Sequence, residues 1–372
     1  MTGPPEPGTG VVLQGTGGLF RVAIPGGELL CRARGRLRGR ASAWRDVRDA
    51  ERADGALRPG EEEPGGPESL DGAPAPDEEL GADGPRRPAR GGRGRGPGPG
   101  AEAAPDEDSG AATLLPGDRV RCSDLGAGQG VIDEVLPRRS ALARPPIANP
   151  DLVVIVAAWL APPFSASFVD RVLAEAALQG CTAAVCINKC DLLDGAGRAA
   201  AEAALRPFAA GGYPALLTSA VRGDGLDELR ALLAGRLGVF SGPSGGGKSR
   251  LLAALTTGRP PRSAELSARA GRGRHTTRRV ELLPLRGEDA GWVADTPGFS
   301  RLDLAAALPE DLPGLYPEFV TLAPACRFRG CLHGSEPECA VRAAAESGAL
   351  DAGRYRRYLG LLAELRARPR RH

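Results

Sequence analysis

The sequence predicts a multidomain chain of 372 residues: a small N-terminal β-barrel, a central and mostly parallel α/β domain, and a helical C-terminal domain gathered on cysteines. Short strand-like runs separated by Gly pairs and Pro-Gly turns fill the N-terminal part. From Asp151 onward, strands and helices alternate. Three cysteines and a histidine then crowd residues 326–339. The composition, 42% apolar and 25% charged, is ordinary for a soluble chain, and 48 basic against 46 acidic residues leave only +2. No run of 18 apolar residues exists and the first twenty residues lack a basic-then-apolar pattern, so neither a membrane span nor a secretory signal is expected. Eight scattered cysteines in a chain this long fit a reducing cytoplasm better than a disulfide scaffold.

The barrel is read from the runs Val11–Leu13, Leu19–Val22, Glu28–Arg32, Asp118–Cys122 and Gly130–Ile132. Residues 54–112 interrupt it with 24 Gly or Pro, 14 acids, six arginines and no aromatic. Such a stretch cannot bury enough apolar surface to offset its ordering entropy and is expected to be disordered. The remainder then carries +2 − (−8) = +10. Between Arg21 and Arg48 there are eight arginines and two acids, with Phe20 and Trp44 nearby. That pattern suits a barrel that binds single-stranded or looped RNA; it also suits a merely solvated basic rim.

In the central region DLVVIVAA is a continuous apolar strand, and Ser165–Gln179 has helical spacing. AAVCI, a helix near 198–207, YPALL, a helix over Leu226–Arg236, and GVF follow. Strands apolar on both faces predict a parallel sheet covered on both sides, with chemistry in the loops at the strands' carboxyl ends.

Those loops carry specific motifs. Gly242-Pro243-Ser244-Gly245-Gly246-Gly247-Lys248-Ser249 follows GVF and opens the helix RLLAAL. It is G-x-x-x-x-G-K-S in the strand–loop–helix setting that curls backbone N–H groups around a β-phosphate. Lys248 would reach the β/γ oxygens and Ser249 would ligate Mg²⁺. Asp295-Thr-Pro-Gly298 ends another apolar run; Asp295 suits the Mg²⁺ sphere and Gly298 offers an N–H to a γ-phosphate. Asn188-Lys189-Cys190-Asp191 follows AAVCI, where Asp191 can accept from guanine N1–H and N2–H₂, Asn188 can hold backbone and base, and the Lys189 stem can cover the base. Ser219-Ala220 suits a backbone contact to guanine O6. Lysine and asparagine occur only twice each in the chain; both lysines and one asparagine fall in these motifs. The substrate expected is therefore GTP. In ordinary P-loop GTPases the phosphate loop comes first, whereas here the guanine motif precedes it, so the domain reads as circularly permuted.

With the barrel, the permuted motif order, ANPD at 148–151, GRHTT at 273–277, DTPGF at 295–299 and the cysteine cluster, the sequence resembles the circularly permuted small-subunit GTPases of the RsgA (YjeQ) family. The resemblance covers nearly the whole chain except 54–112, and Pro150 stands where that family usually has another residue. It implies an OB-type barrel over residues 1–140, a circularly permuted P-loop GTPase domain over 141–304 and a zinc-binding helical domain over 305–372. It further implies a GTPase acting late in maturation of the 30S subunit, stimulated by that subunit and binding 16S rRNA. Phe299 occupies the place where many GTPases carry a water-orienting Gln. His275, in an arginine-rich stretch, could position or deprotonate water, as the resemblance suggests, or could contact phosphate or RNA. Thr276 or Thr277 should supply a second Mg²⁺ hydroxyl.

Cys326, Cys331, His333 and Cys339 suit a closed tetrahedral Zn²⁺ site. Cys31, Cys122, Cys181, Cys186 and Cys190 read as small apolar fillers. Two helical stretches, Cys339–Glu346 and Asp351–Arg366, follow, and residues 354–372 hold seven arginines and one glutamate, a basic tail able to touch rRNA phosphates. The chain is expected to be a cytoplasmic monomer. The competing readings are a GTP-gated recruitment module in which hydrolysis is incidental, and a metabolic kinase, against which the guanine motif argues.

Overall fold

The computed structural model describes residues 8–34, 114–143, 145–257, 280–287, 291–295, 304 and 307–368. The stretch 54–112 and its expected disorder lie outside them. Strands β1 (Thr9–Thr16), β2 (Leu19–Ile24), β3 (Gly27–Ala33), β4 (Arg119–Gly126) and β5 (Gln129–Val135) close a barrel in the order β1-β2-β3-β5-β4. Only β3 and β5 run parallel, the arrangement of an OB-type barrel. Alternation decides what points inward: Leu29 and Cys31 are buried on β3, while Leu30 and Arg32 face water. Val12, Val22, Val120, Cys122 and Ile132 complete this core. A side chain at Gly130 would meet Cys31 Sγ at 2.9 Å, so glycine lets β3 and β5 approach.

A hairpin, β6 (Ala141–Ala143) and β7 (Pro146–Ala148), leads into the central domain. There β8 (Leu152–Ala158), α1 (Ala166–Leu178), β9 (Thr182–Asn188), α2 (Gly195–Ala210), β10 (Ala215–Thr218), α3 (Leu226–Leu233), β11 (Leu237–Ser241), α4 (Lys248–Leu255), β12 (Glu281–Pro284) and β13 (Trp292–Asp295) succeed one another. The sheet order is β10-β9-β8-β11-β13-β12, parallel throughout except for the last pair. All seven residues of β8 are buried because helices cover both faces. Val153 and Ile155 pack with α1 and α2, and Val154 and Val156 with α3 and α4. Ser165 caps α1 through Phe168 N, and Asp194 caps α2 through Gly197 N. The expected helix over Leu226–Arg236 stops earlier, because Gly235 turns the chain at φ +65°. Arg236 leaves the helix and its carbonyl accepts from Trp292 N at 2.8 Å, pinning the start of β13.

The segment 148–151 joins barrel to sheet. Asn149 adopts φ +53°, a left-handed conformation that asparagine tolerates. Its amide donates to Gly117 O at 3.0 Å and its Oδ1 accepts from Arg139 N at 2.8 Å. Asp151 Oδ2 accepts from Leu237 N at 2.9 Å, at the first residue of β11. Leu13 of the barrel, and Leu142 and Ile147 of the hairpin, share one core with the sheet. Arg21, counted above in a basic face, is instead turned into this seam, where it pairs with Glu281 at 2.8 Å and with Glu28. Arg32 and Arg34 remain on the surface, whereas Arg36, Arg38, Arg40, Trp44, Arg45 and Arg48 lie outside the described residues.

The C-terminal domain packs α5 (Pro317–Leu322), α6 (Ala340–Ser347) and α7 (Ala352–Ala367) around Tyr316, Phe319 and Tyr358. Its join to the central domain is partly apolar, through Ala174 and Leu178 of α1, and partly ionic and buried. Arg354 of α7, 1% exposed, bonds Asp170 of α1 and Glu318 of α5, and its guanidinium lies 4.7 Å from the Tyr316 ring centroid. Arg357 bonds the other oxygen of Asp170. The expectation of a free basic tail over residues 354–372 is therefore corrected: Arg354 and Arg357 are committed inward, because Asp170 would otherwise be a buried carboxylate without a counter-charge. Among the described residues no helix is long and apolar enough to cross a membrane.

Arg354→Ala leaves Asp170 with Arg357 as its one remaining cation among the described residues and Glu318, largely buried, without the cation the two share. A loss of about 3–5 kcal/mol is expected, read as a lower urea midpoint. A loss below about 1 kcal/mol would show the joint to be energetically idle.

Candidate nucleotide and metal sites

Strand register brings the motif loops to one edge. β8 pairs Ile155 with Ser241, so Val156 lies beside Gly242. β8 pairs Ala158 with Asn188, and Asn188 pairs with Thr218 of β10. Val239 of β11 pairs with Ala294 of β13, which sets Asp295 level with Phe240. The carboxyl ends of β10, β9, β8, β11 and β13 thus open on a common rim, although their loops are scattered along the chain.

Direct contacts join the loops. Asn188 Nδ2 donates to Gly246 O at 3.0 Å, tying the 188–191 loop to the glycine loop, while Thr218 Oγ1 donates to Asn188 Oδ1 at 3.3 Å and fixes the amide's orientation. Both polar side chains are buried, and each is satisfied by the other loop. Ser219 Oγ donates to Asp191 Oδ1 at 2.6 Å and accepts from Arg222 N at 3.0 Å, so the carboxylate is aimed by a hydroxyl that is itself held. Ala220 follows, half-buried. Lys189 sits at φ +66°, and its ammonium donates to Ala161 O at 3.3 Å.

The glycine loop has steric reasons for its composition. At Gly242, with φ +145°, a Cβ would strike Val156 O at 2.0 Å. At Gly247, with φ +94°, it would strike Asn188 Nδ2 at 2.2 Å. Pro243, Ser244, Gly245 and Gly246 complete the turn, and Gly247 precedes the first residue of α4, so backbone N–H groups and the helix dipole face the rim. Lys248 bends back over the loop, donating to Gly242 O at 2.7 Å and Pro243 O at 2.8 Å. Burial pulls its pKa below the usual lysine value. A half-buried ammonium whose hydrogen-bond partners here are carbonyls would be better matched by an anion. Asp295, 4% exposed, and Ser249, second residue of α4, are hard oxygen donors of the kind Mg²⁺ takes. His275, Thr276, Thr277 and Gly298 lie outside the described residues.

Sequence reasoning missed three participants at this rim. Ala161 and Pro162, after β8, flank Lys189 and Gly245. Asp224 holds the turn beneath Asp191, accepting from Ser219 N through its carbonyl at 2.9 Å and from Cys190 Sγ through Oδ2 at 3.5 Å. The Pro pair after an apolar strand was the available signal for the first two. Asp224 carries no signal beyond its place before a helix start.

In the C-terminal domain the ligand atoms of Cys326, Cys331, His333 and Cys339 lie within 4.8 Å of one another. His333 Nδ1 faces Cys339 Sγ at 3.4 Å and Cys326 Sγ at 3.6 Å. Ligands about 2.3 Å from a tetrahedral Zn²⁺ stand about 3.8 Å apart, so the four atoms fit such an ion. Each sulfur also accepts a backbone N–H at 3.4 Å, from His333, Ala340 or Arg342, donors that favour a thiolate although burial by itself pushes the Cys331 thiol up to about 12. Burial holds the His333 pKa below its usual value, keeping the imidazole neutral as a ligand must be. Tyr355 and Tyr358 donate to the carbonyls of His333 and Leu332, fixing the loop from behind. Cys31, Cys122, Cys181, Cys186 and Cys190 are buried elsewhere, and burial pushes Cys186 up to about 12, leaving it an inert thiol.

A family model described as RsgA GTPase matches residues 135–305. A small ribosomal subunit biogenesis GTPase RsgA of Moorella thermoacetica is 48% identical over 259 residues, covering 69% of this chain and 87% of its own length. The protein of the same name from Geobacillus thermodenitrificans is 43% identical over 260 residues, covering 70% and 88%. Among solved structures, YjeQ from Thermotoga maritima superposes with a TM-score of 0.68 at 26% identity, covering 97% of this chain and 99% of that one. YloQ, described as a circularly permuted GTPase, gives 0.66 at 25% identity, covering 98% and 96%.

Gly247→Ala is expected to push Asn188 off Gly246 and separate the two loops. Affinity for a fluorescent GDP analogue should fall by about tenfold or more, the scale of one lost buried hydrogen bond with its partner left unsatisfied. Gly314→Ala, where a Cβ meets nothing within 4 Å, is the control and should bind normally.

Proposed function

Because the chain belongs to the RsgA family of small ribosomal subunit biogenesis GTPases, we propose that it hydrolyses GTP at the rim formed by residues 188–191, 219–220, 242–249 and 295–298, late in maturation of the 30S subunit. The observation that carries this site is the bond from Asn188 Nδ2 to Gly246 O. It holds the loop read as base-recognising against the loop read as phosphate-binding, which supports one shared site.

On this reading Asp191, aimed by Ser219, accepts from guanine N1–H and N2–H₂, which adenine lacks as a pair. Asn188 and the stem of Lys189 frame the base, and the Ser219-Ala220 backbone faces O6. The N–H groups of 243–248 surround the β-phosphate. Lys248 exchanges the carbonyls of Gly242 and Pro243 for β/γ oxygens, a stronger partner for a desolvated ammonium. Ser249 and Asp295, with Thr276 or Thr277, are the residues that would hold Mg²⁺, which when bound offsets charge on the triphosphate. His275 orients the attacking water, Phe299 being unable to, and the Gly298 N–H meets the γ-phosphate.

The chain leaving Asp295 soon reaches Leu304, which is 1% exposed in the C-terminal core and whose carbonyl accepts from Arg368 at 2.7 Å. A loop that senses γ-phosphate is thereby tethered to the C-terminal domain, and its release on hydrolysis would be felt there. We assign to Cys326, Cys331, His333 and Cys339 one structural Zn²⁺, and to the barrel and zinc domain the contacts with 16S rRNA. The protein works as a cytoplasmic monomer that leaves the subunit after hydrolysis.

Turnover of GTP is expected to rise with purified 30S subunits and not with 50S, and ATP should not compete. His275→Ala should lower the stimulated rate by about 10²-fold, the low end for a positioned acid–base group, with GTP affinity unchanged. Unchanged stimulated turnover would remove His275 from the chemistry. Metal analysis of the purified chain should find one zinc. Cys339→Ser should lose it and lower the melting temperature of the C-terminal domain. Full zinc content in that variant would count against the assigned ligands.

A further inference from the structure

The four residues Arg327-Phe328-Arg329-Gly330 lie between the metal-site positions Cys326 and Cys331, and all four are exposed. Phe328 is 44% exposed and belongs to no core cluster. Its ring is covered on one side by Arg327, whose Cζ stands 5.4 Å from the centroid and whose outer nitrogen bonds Glu338. Arg329 makes no ion pair among the described residues. Beside them opens a groove of about 390 Å³ whose wall includes Val320, itself 53% exposed, Pro324, Phe328, Arg329 and Glu310. A single exposed apolar side chain needs no explanation, but an aromatic ring, a second exposed apolar residue and a guanidinium with no ion pair among the described residues, all around one groove, do.

We propose that this groove takes one unpaired nucleotide of the ribosomal RNA, with its base stacked on Phe328 and its phosphate held by Arg329. The inference rests on the small-subunit reading above and names the contact that the zinc domain makes. Aromatic side chains flanked by arginines hold splayed-out bases because every base has a π-face and every nucleotide a phosphate. Arg327 already packs over the Phe328 ring, which also lines the groove, so a base stacking there has the face that Arg327 leaves open. A purely apolar partner segment would leave Arg329 desolvated against nothing. Glu310 disfavours a buried phosphate and can accept from a base amino group, which puts the base inside and the phosphate at the arginine.

The test uses the full-length, metal-loaded chain and two probes: purified 30S subunits and a short single-stranded RNA of mixed sequence. Phe328→Ala should weaken binding to both by about tenfold or more, as loss of one base–aromatic stack does, and Phe328→Trp should restore it. Phe328→Leu, apolar but without a π-face, should stay weak. Arg329→Ala should lower the salt dependence of RNA binding by about one counterion. Zinc content and GTP turnover without ribosomes should be unchanged in all four, and Arg356→Ala, an exposed arginine elsewhere in the domain, should bind as wild type. Equal binding by the Leu and Trp variants, or loss of subunit binding with RNA binding intact, would mean that a protein surface fills the groove and would overturn the proposal. No effect of Phe328→Ala on either probe would also overturn it. Binding to the RNA that depends on Phe328, in a chain that ignores 30S subunits, would uphold the stack and sink the small-subunit reading instead.

Discussion

Parallel register is the constraint from which everything else here follows. Five strands hydrogen-bonded side by side must finish at the same edge, so whatever follows β8, β9, β10, β11 and β13 meets there regardless of chain order. The permuted arrangement of motifs is harmless for that reason. Geometry at the rim is then refined by a few buried polar contacts, of which Asn188 to Gly246 spans the widest gap in sequence. Glycines at 242 and 247 are the backbone's concession to it: their neighbours, Val156 O and Asn188 Nδ2, occupy the space of a side chain.

Both domain joints combine an apolar core with polar contacts, in different proportions. Barrel and sheet share an apolar core through Leu13, Leu142 and Ile147, with the Asn149 and Asp151 hydrogen bonds setting the angle. Sheet and C-terminal domain meet through buried charge, Arg354 and Arg357 against Asp170 and Glu318. An apolar seam tolerates small sliding, whereas a buried ion pair with fixed geometry does not.

Much of this could be read in the sequence because the residues concerned are chemically irreplaceable. Two lysines among 48 cations, and the phosphate-loop glycines, stand out even in a chain rich in Gly and Arg. The continuous apolar strands announced a two-sided sheet, and ligand-type residues at 326–339 announced a cluster that could hold a metal ion. What stayed hidden is what depends on tertiary partners. Arg354 and Arg21 look like surface charges until Asp170 and Glu281 are seen across from them. Asp224 and Ala161 act through carbonyls or second contacts, which no side-chain motif encodes. The early end of α3 at Gly235 is a backbone matter, local in cause but invisible to apolar periodicity.

The sheet order also has a cost during synthesis. β8, wholly apolar, is made well before its neighbour β11, and until residues 237–241 leave the ribosome one of its edges has no partner. A nascent chain bearing β8, β9 and β10 thus exposes a greasy, hydrogen-bond-hungry border, the kind of surface that recruits holding chaperones or sticks to its own copies. Every order of synthesis opens this seam, but here the strand left waiting is β8, whereas a chain that began at the glycine loop would leave the facing edge of β11 bare instead.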